Sequence, residues 1–207
     1  FSEDPSSFKV PCVIVTTSAE NWSMEELSSV SVDDEKAGET IVDYLIDHGH
    51  TKIAEIGANL ELSQTAILRH NGYLNSLKKH GITPDERYYE RARFSYDSAY
   101  RAMKKLLEKD IEITAVYAIS DVMAIGAIRA ILDKGLRVPE DISITGFDGS
   151  TLAEYYNPKI VSIRQPHKDM AARSVELLFN MIDLHKGSCH EIIPFELTEG
   201  ESVARID

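Results

Sequence analysis

Thr114-Ala115-Val116-Tyr117-Ala118-Ile119 is a short β-rich run, and Ser120-Asp121 follows it directly. Met123, Ala124, Ala127, Ile128 and Ile131 then recur at helical spacing as far as Gly135. A second β-rich run, Ile142-Ser143-Ile144-Thr145-Gly146-Phe147, ends on Asp148. Ser120-Asp121 supplies the side-chain oxygens that cap a helix start. Strand, helix and strand in this order pair in parallel through a right-handed crossover.

The same alternation extends in both directions. Upstream, Ile53–Ile56 reads as a strand, 57–62 as a loop and 63–80 as a helix closed by Gly81. Residues 89–93 form a weakly patterned strand, and Ser95 caps a helix to about Lys109 with Tyr100, Met103, Leu106 and Leu107 inward. Nearer the start, Cys12-Val13-Ile14-Val15-Thr16 is a continuous apolar run of the kind found in strands covered on both faces. Cys12 there reads as a buried free thiol. Residues 17–28, with Trp22, read as a loop, and the first ten residues carry no regular pattern. Ser29–Val32 alternates, Asp33-Asp34 caps a helix to about His48, and Gly49 ends it, with Ala37, Ile41, Val42, Leu45 and Ile46 on one stripe. Downstream come a strand at 160–163, a helix from Pro166 to near Gly187, and a strand around Ile192-Ile193. The fold class is α/β, with parallel sheets flanked by helices.

Composition narrows the function. The chain has 207 residues, 43% hydrophobic and 27% charged, which excludes a disordered chain. Asp and Glu outnumber Lys and Arg by 34 to 22, for a net charge of -12, so this stretch is not itself a general nucleic-acid binder. No apolar run is long enough for a membrane span and no signal-peptide pattern is present. Two cysteines, Cys12 and Cys189, make no disulfide framework. A cytoplasmic location, away from membranes, is the expectation.

In open parallel sheets, ligands bind beyond the carboxyl ends of the strands. Those ends deliver Ser63, Gln64, Thr65 and Arg69 after the strand at 53–56, and Phe94 after 89–93. Ser120 and Asp121 follow 114–119, and Asp148 with Gly149 and Ser150 follows 142–147. A guanidinium, two carboxylates, hydroxyls, an amide and an aromatic ring suit a polyhydroxylated ligand. Each has a plainer reading too. Asp121 and Ser120 serve as helix caps, Arg69 as the partner of a surface carboxylate, and Phe94 as core packing. Asp148 is the strongest candidate by placement.

The chain has no phosphate-binding loop, dinucleotide fingerprint or nucleophile elbow. His48 and His50 around Gly49, and Cys189-His190 with His185 near, read as turn polarity rather than metal ligands. Asp33-Asp34 and Glu25-Glu26 read as solvated caps or faces. Neither a metal, a cofactor nor a catalytic residue is expected.

Gly135-Leu136-Arg137-Val138-Pro139-Glu140-Asp141, running on through Ile142–Asp148, resembles the signature of the lactose/galactose-repressor (LacI/GalR) family of bacterial transcription regulators. Further matches are Gly49–Ala54, Arg69-His70-Asn71-Gly72-Tyr73, Ser120–Gly126, Asn157-Pro158 and Ser162–Pro166, in unbroken order from about 11 to 195. The resemblance implies a two-lobed, periplasmic-binding-protein-like effector domain with three chain crossings. Residues 1–32 and 164–195 would form part of the N-terminal lobe, and 33–163 with 196–207 the C-terminal lobe. It implies an effector held between lobes by Thr65, Arg69, Phe94, Ser120, Asp148 and Gln165. A sugar is the first expectation and a purine or nucleoside the second. It further implies a homodimer that reaches operator DNA through an N-terminal helix-turn-helix outside this chain, which reads as part of a longer regulator. An extracytoplasmic sugar-binding transport protein is the alternative. Two departures stand out: the family's usual Asn-Asp is here Ser120-Asp121, and the carboxylate often found after Asp148 is Gly149.

Overall fold

The computed structural model describes residues 10–18, 27–184 and 187–206. Trp22, Glu25-Glu26 and His185 lie outside the described residues. In chain order the elements are β1 (Cys12–Val15), β2 (Leu27–Ser31), α1 (Asp34–Asp47), β3 (Ile53–Gly57) and α2 (Gln64–Lys79). Next come β4 (Tyr89–Arg91), α3 (Tyr96–Glu108), β5 (Ala115–Ala118), α4 (Asp121–Asp133) and β6 (Ser143–Asp148). The last are α5 (Thr151–Tyr155), β7 (Val161–Arg164), α6 (His167–Leu184), β8 (His190–Ile192) and β9 (Glu196–Thr198).

These elements divide into two compact units, one of the residues up to Asp33 with Gln165–Phe195, the other of Asp34–Arg164 with Glu196–Asp207. The smaller unit holds a parallel sheet in the order β1-β2-β8, against which α6 packs. Its middle strand β2 is buried throughout, serines included. Ser29 Oγ bonds His190 Nδ1 at 2.9 Å, and Ser28 Oγ accepts from Cys189 N at 3.0 Å and donates to Met181 Sδ at 3.1 Å, so these two buried hydroxyls are satisfied within the smaller unit. Strand β1 departs from the expectation of cover on both faces. All four of its residues, Cys12 included, are half-buried, because β1 is the edge of its sheet among the described residues.

The larger unit is a six-stranded sheet, order β4-β3-β5-β6-β7-β9, parallel except for β9, which runs antiparallel to β7. Its central strands carry the apolar core: Val116, Tyr117, Ala118, Ile144 and Phe147 are wholly buried. Helices α1 and α2 pack as one pair and α3 and α4 as another. Serines 63, 95, 120 and 150 cap α2, α3, α4 and α5, each accepting from the amide three residues on. In α3 the inward stripe is Ala99, Ala102, Met103 and Leu106. Tyr100 and Leu107, expected inward, are half-buried at its flanks, and the Tyr100 hydroxyl donates to Asp133 at 3.0 Å. A polar tip draws that ring toward solvent.

Residues after β9 stitch the sheet's lower edge. Ile144 N donates to Ser202 O, Ser202 Oγ donates to Ile144 O, and Ile206 N donates to His48 O. His50 lies in this seam, 3.1 Å from Thr114 Oγ1 and 3.0 Å from Ala204 O.

Candidate functional site

Strands β3 to β7 run parallel in the larger unit, so their carboxyl ends open on one edge, and a cluster of polar side chains gathers there. Arg69, on the second turn of α2, is its centre. The guanidinium is 3% exposed and held three ways. Nε donates to Asp34 Oδ1 at 2.7 Å, Nη1 donates to the Ile119 carbonyl at 2.6 Å, and the group lies 3.5 Å over the Phe147 ring. Such a fork is set in one orientation before any ligand arrives. Nη1 also stands 3.8 Å from Asp148 Oδ1.

Asp148 ends β6 with φ +118, and Gly149 follows at φ +64. A positive φ on a non-glycine residue is strained, and strain of this kind collects at functional sites. Gly149 is required sterically as well, since a Cβ there would lie 2.5 Å from Arg164 Cα. The turn is tied by Gly149 N donating to Ser162 Oγ at 3.1 Å. The Asp148 side chain is 31% exposed, whereas those of Asp34 and Asp121 are buried. It is the carboxylate presented outward.

The other candidates fall in different places. Thr65, half-buried, lies one helical turn before Arg69 on the same face of α2. Ser120 is buried and its hydroxyl accepts from Met123 N at 3.3 Å as the α4 cap. Asp121 is drawn inward instead of facing a ligand. It accepts from Ser162 Oγ at 2.6 Å and Ser150 N at 2.7 Å, and burial pushes its carboxyl above the usual range against those hydrogen bonds. Phe94 is no core residue; it stands 47% exposed between β4 and α3. Gln165, buried, belongs to the smaller unit, directly after β7.

Three participants escaped the sequence reading. Asp34, taken for a solvated cap, is 1% exposed and is the partner of Arg69. Phe147 serves as the platform beneath the guanidinium. The Tyr117 hydroxyl is wholly buried with no hydrogen-bond partner, and burial pushes its ionisation far up. Among the described residues no group of three His, Cys, Asp or Glu side chains is arranged to hold a metal ion. An anchored donor beside a strained, outward carboxylate, with a hydroxyl and a ring nearby in the chain, can grip adjacent hydroxyl groups on a small molecule.

A parallel sheet whose polar cluster lies beyond its strands' carboxyl ends defines the class of open α/β ligand-binding domains. Residues 42–203 match the model of the periplasmic binding protein-like domain, and the chain belongs to that family. Its relatives are LacI-family transcriptional regulators. The regulator MalR of Clostridium butyricum is 38% identical over 199 residues, 96% of this chain and 59% of the relative. The repressor PurR of Pasteurella multocida is 41% identical over 140 residues, 68% of this chain and 42% of the relative. A LacI-family regulator from Enterococcus faecium, solved with bound ribose, superposes with TM-score 0.84 at 26% identity, covering 95% of this chain and 72% of that one. The chain spans about half the length of the curated relatives it matches. Regulators, rather than transport proteins, are its kin. No helix among the described residues is long and apolar enough to cross a membrane.

Proposed function

We propose that this chain is the effector-sensing part of a LacI-family transcriptional repressor, and that a sugar is the effector. The observation that carries the reading is the pairing of Arg69, locked by Asp34, the Ile119 carbonyl and Phe147, with the outward Asp148. Arg69 donates to ligand oxygens, Asp148 accepts from ligand hydroxyls, and Thr65, Phe94, Ser120 and Gln165 complete the contact set. Bound ribose in a relative of similar fold favours a sugar over a purine. The protein works in the cytoplasm as a homodimer without catalysing a reaction, and DNA is contacted by residues outside this chain. Effector binding biases the repressor between two states of different operator affinity.

Calorimetry with a panel of pentoses, hexoses and nucleosides tests the reading. Asp148→Asn and Arg69→Lys, which keeps a cation beside Asp34, should each cost about 1.5–3 kcal/mol, a loss of ~10- to 150-fold in affinity. Wild-type affinity in both variants would dismiss the site.

A further inference from the structure

Glu55 stands in the middle of β3, a strand buried at all five positions, where a carboxylate departs from the apolar pattern of such strands. Its Oε2 meets His70 Nδ1 at 2.6 Å, while Oε1 is buried with no hydrogen-bond partner. The carboxylate makes Nδ1 the donor and so turns the far ring nitrogen, Nε2, away from Glu55. Nε2 has no partner among the described residues, and His70 lines a cavity of about 600 Å³ between α2 and the segment leading into β4.

The walls of this cavity are Leu60, Leu74 and the rings of Tyr73 and Tyr89. Tyr89 stands edge-on to the imidazole at 5.1 Å and Tyr73 lies stacked at 6.2 Å. Both tyrosine hydroxyls are already spent, Tyr73 donating to Ile53 O and Tyr89 to Ala58 O, so the rings offer faces and edges only. The Tyr89 ring lies so close to β3 that a Cβ on Gly57 would come within 2.5 Å of it. His70 Nε2 is therefore the polar handle among these apolar walls, and Asp85 and Glu86 line the cavity beside them. Asp85 is already paired with Arg87 at 2.6 Å, and the Glu86 carboxylate opposes an anion. Neither Arg69 nor Asp148 lines this space.

We propose that the cavity bounded by His70, Tyr73 and Tyr89 is a second binding site, separate from the Arg69–Asp148 cluster, for a small aromatic molecule that carries no negative charge and bears one hydroxyl group, such as a phenol. The ring packs against the two tyrosines and its hydroxyl pairs with His70 Nε2, as Glu55 holds the imidazole in place.

The test is NMR observation of the histidine ring protons of the 207-residue chain titrated with phenol, toluene and benzoate, the His70 signal being assigned by its loss in His70→Asn. Phenol should shift the His70 signal saturably, and toluene and benzoate should each bind about tenfold or more weakly. Leu60→Trp and Leu74→Trp, which fill the cavity and leave the Glu55 contact intact, should keep the wild-type circular dichroism and abolish any further shift of His70 on adding phenol. An unmoved His70 signal at high phenol, an equal response to benzoate, or undiminished binding in both tryptophan variants would overturn the proposal. Loss of sugar binding in the Asp148 variant bears only on the other site.

Discussion

Two ion pairs show what single residues contribute. Arg69 with Asp34 spans 35 positions and is buried on both sides, while Glu55 with His70 spans 15 and joins a buried carboxylate to a half-buried imidazole. Burial by itself would lower the His70 pKa, but the hydrogen bond and charge of Glu55 outweigh it and hold the imidazole above its ordinary value of 6.5. Glu55 is held up by burial against the opposing pull of His70. Of the phenols that face the pair, burial raises Tyr73 strongly and Tyr89 to about 12, so neither ionises in the working range. A raised imidazole stabilises the fold fully below its unfolded value and loses that contribution as the pH rises through its folded value. Urea unfolding between pH 6 and 9 should therefore find wild type losing stability relative to Glu55→Gln as the pH climbs above 6.5. Parallel curves would mean that the contact has no ionic part. Neither pair was legible in the sequence. Asp34 looked like one more helix-starting acid and Glu55 like one residue of a short strand, since no periodic pattern says which distant charge will face a residue.

At the scale of elements, most of the architecture was legible, because β-rich runs, serine caps and closing glycines mark strands and helix ends locally. The exceptions are instructive. Helix α5 is five residues long, too short to show a period, and β9 is three residues whose strand character comes from pairing with β7. The seam between α1 and α2 depends on a feature with no sequence period. A Cβ on Gly72 would stand 2.3 Å from Glu35 O, and one on Gly38 2.8 Å from Arg69 O. Each glycine lets the opposite backbone approach, and that approach sets Arg69 against Asp34. Gly72→Ala should cost about 1–3 kcal/mol by overpacking, read as a lower urea midpoint with unchanged slope. Ligand affinity should fall with it, because the guanidinium rides on the displaced helix. An alanine variant of wild-type stability would show that the helices part without cost.

For the whole molecule, the uneven protection of the two sheets gives a measurable ranking. Strands β5 and β6 are central and almost wholly buried, while β1 is a half-buried edge. Amides of β5 and β6 should exchange with deuterium slowest and those of β1 faster by about tenfold or more, in mass-spectrometric exchange of the intact chain. Equal rates would place both units in one cooperative block. Gln165 illustrates the limit of sequence reasoning at this scale. Its candidacy came from family resemblance alone, although it follows the carboxyl end of β7, because the sequence reading carried the strand-end rule only as far as β6 and Gln165 falls in the other unit. The seam through Ser202, Ala204 and Ile206 has a consequence for synthesis. Edge strand β9 and the residues beyond it are translated after the entire smaller unit, so both units' chain must be made before the larger sheet can close. Strict domain-by-domain folding during synthesis is thus denied to this topology, and until β9 leaves the ribosome the emerged part of the larger sheet presents the bare edge of β7 to any chaperone within reach.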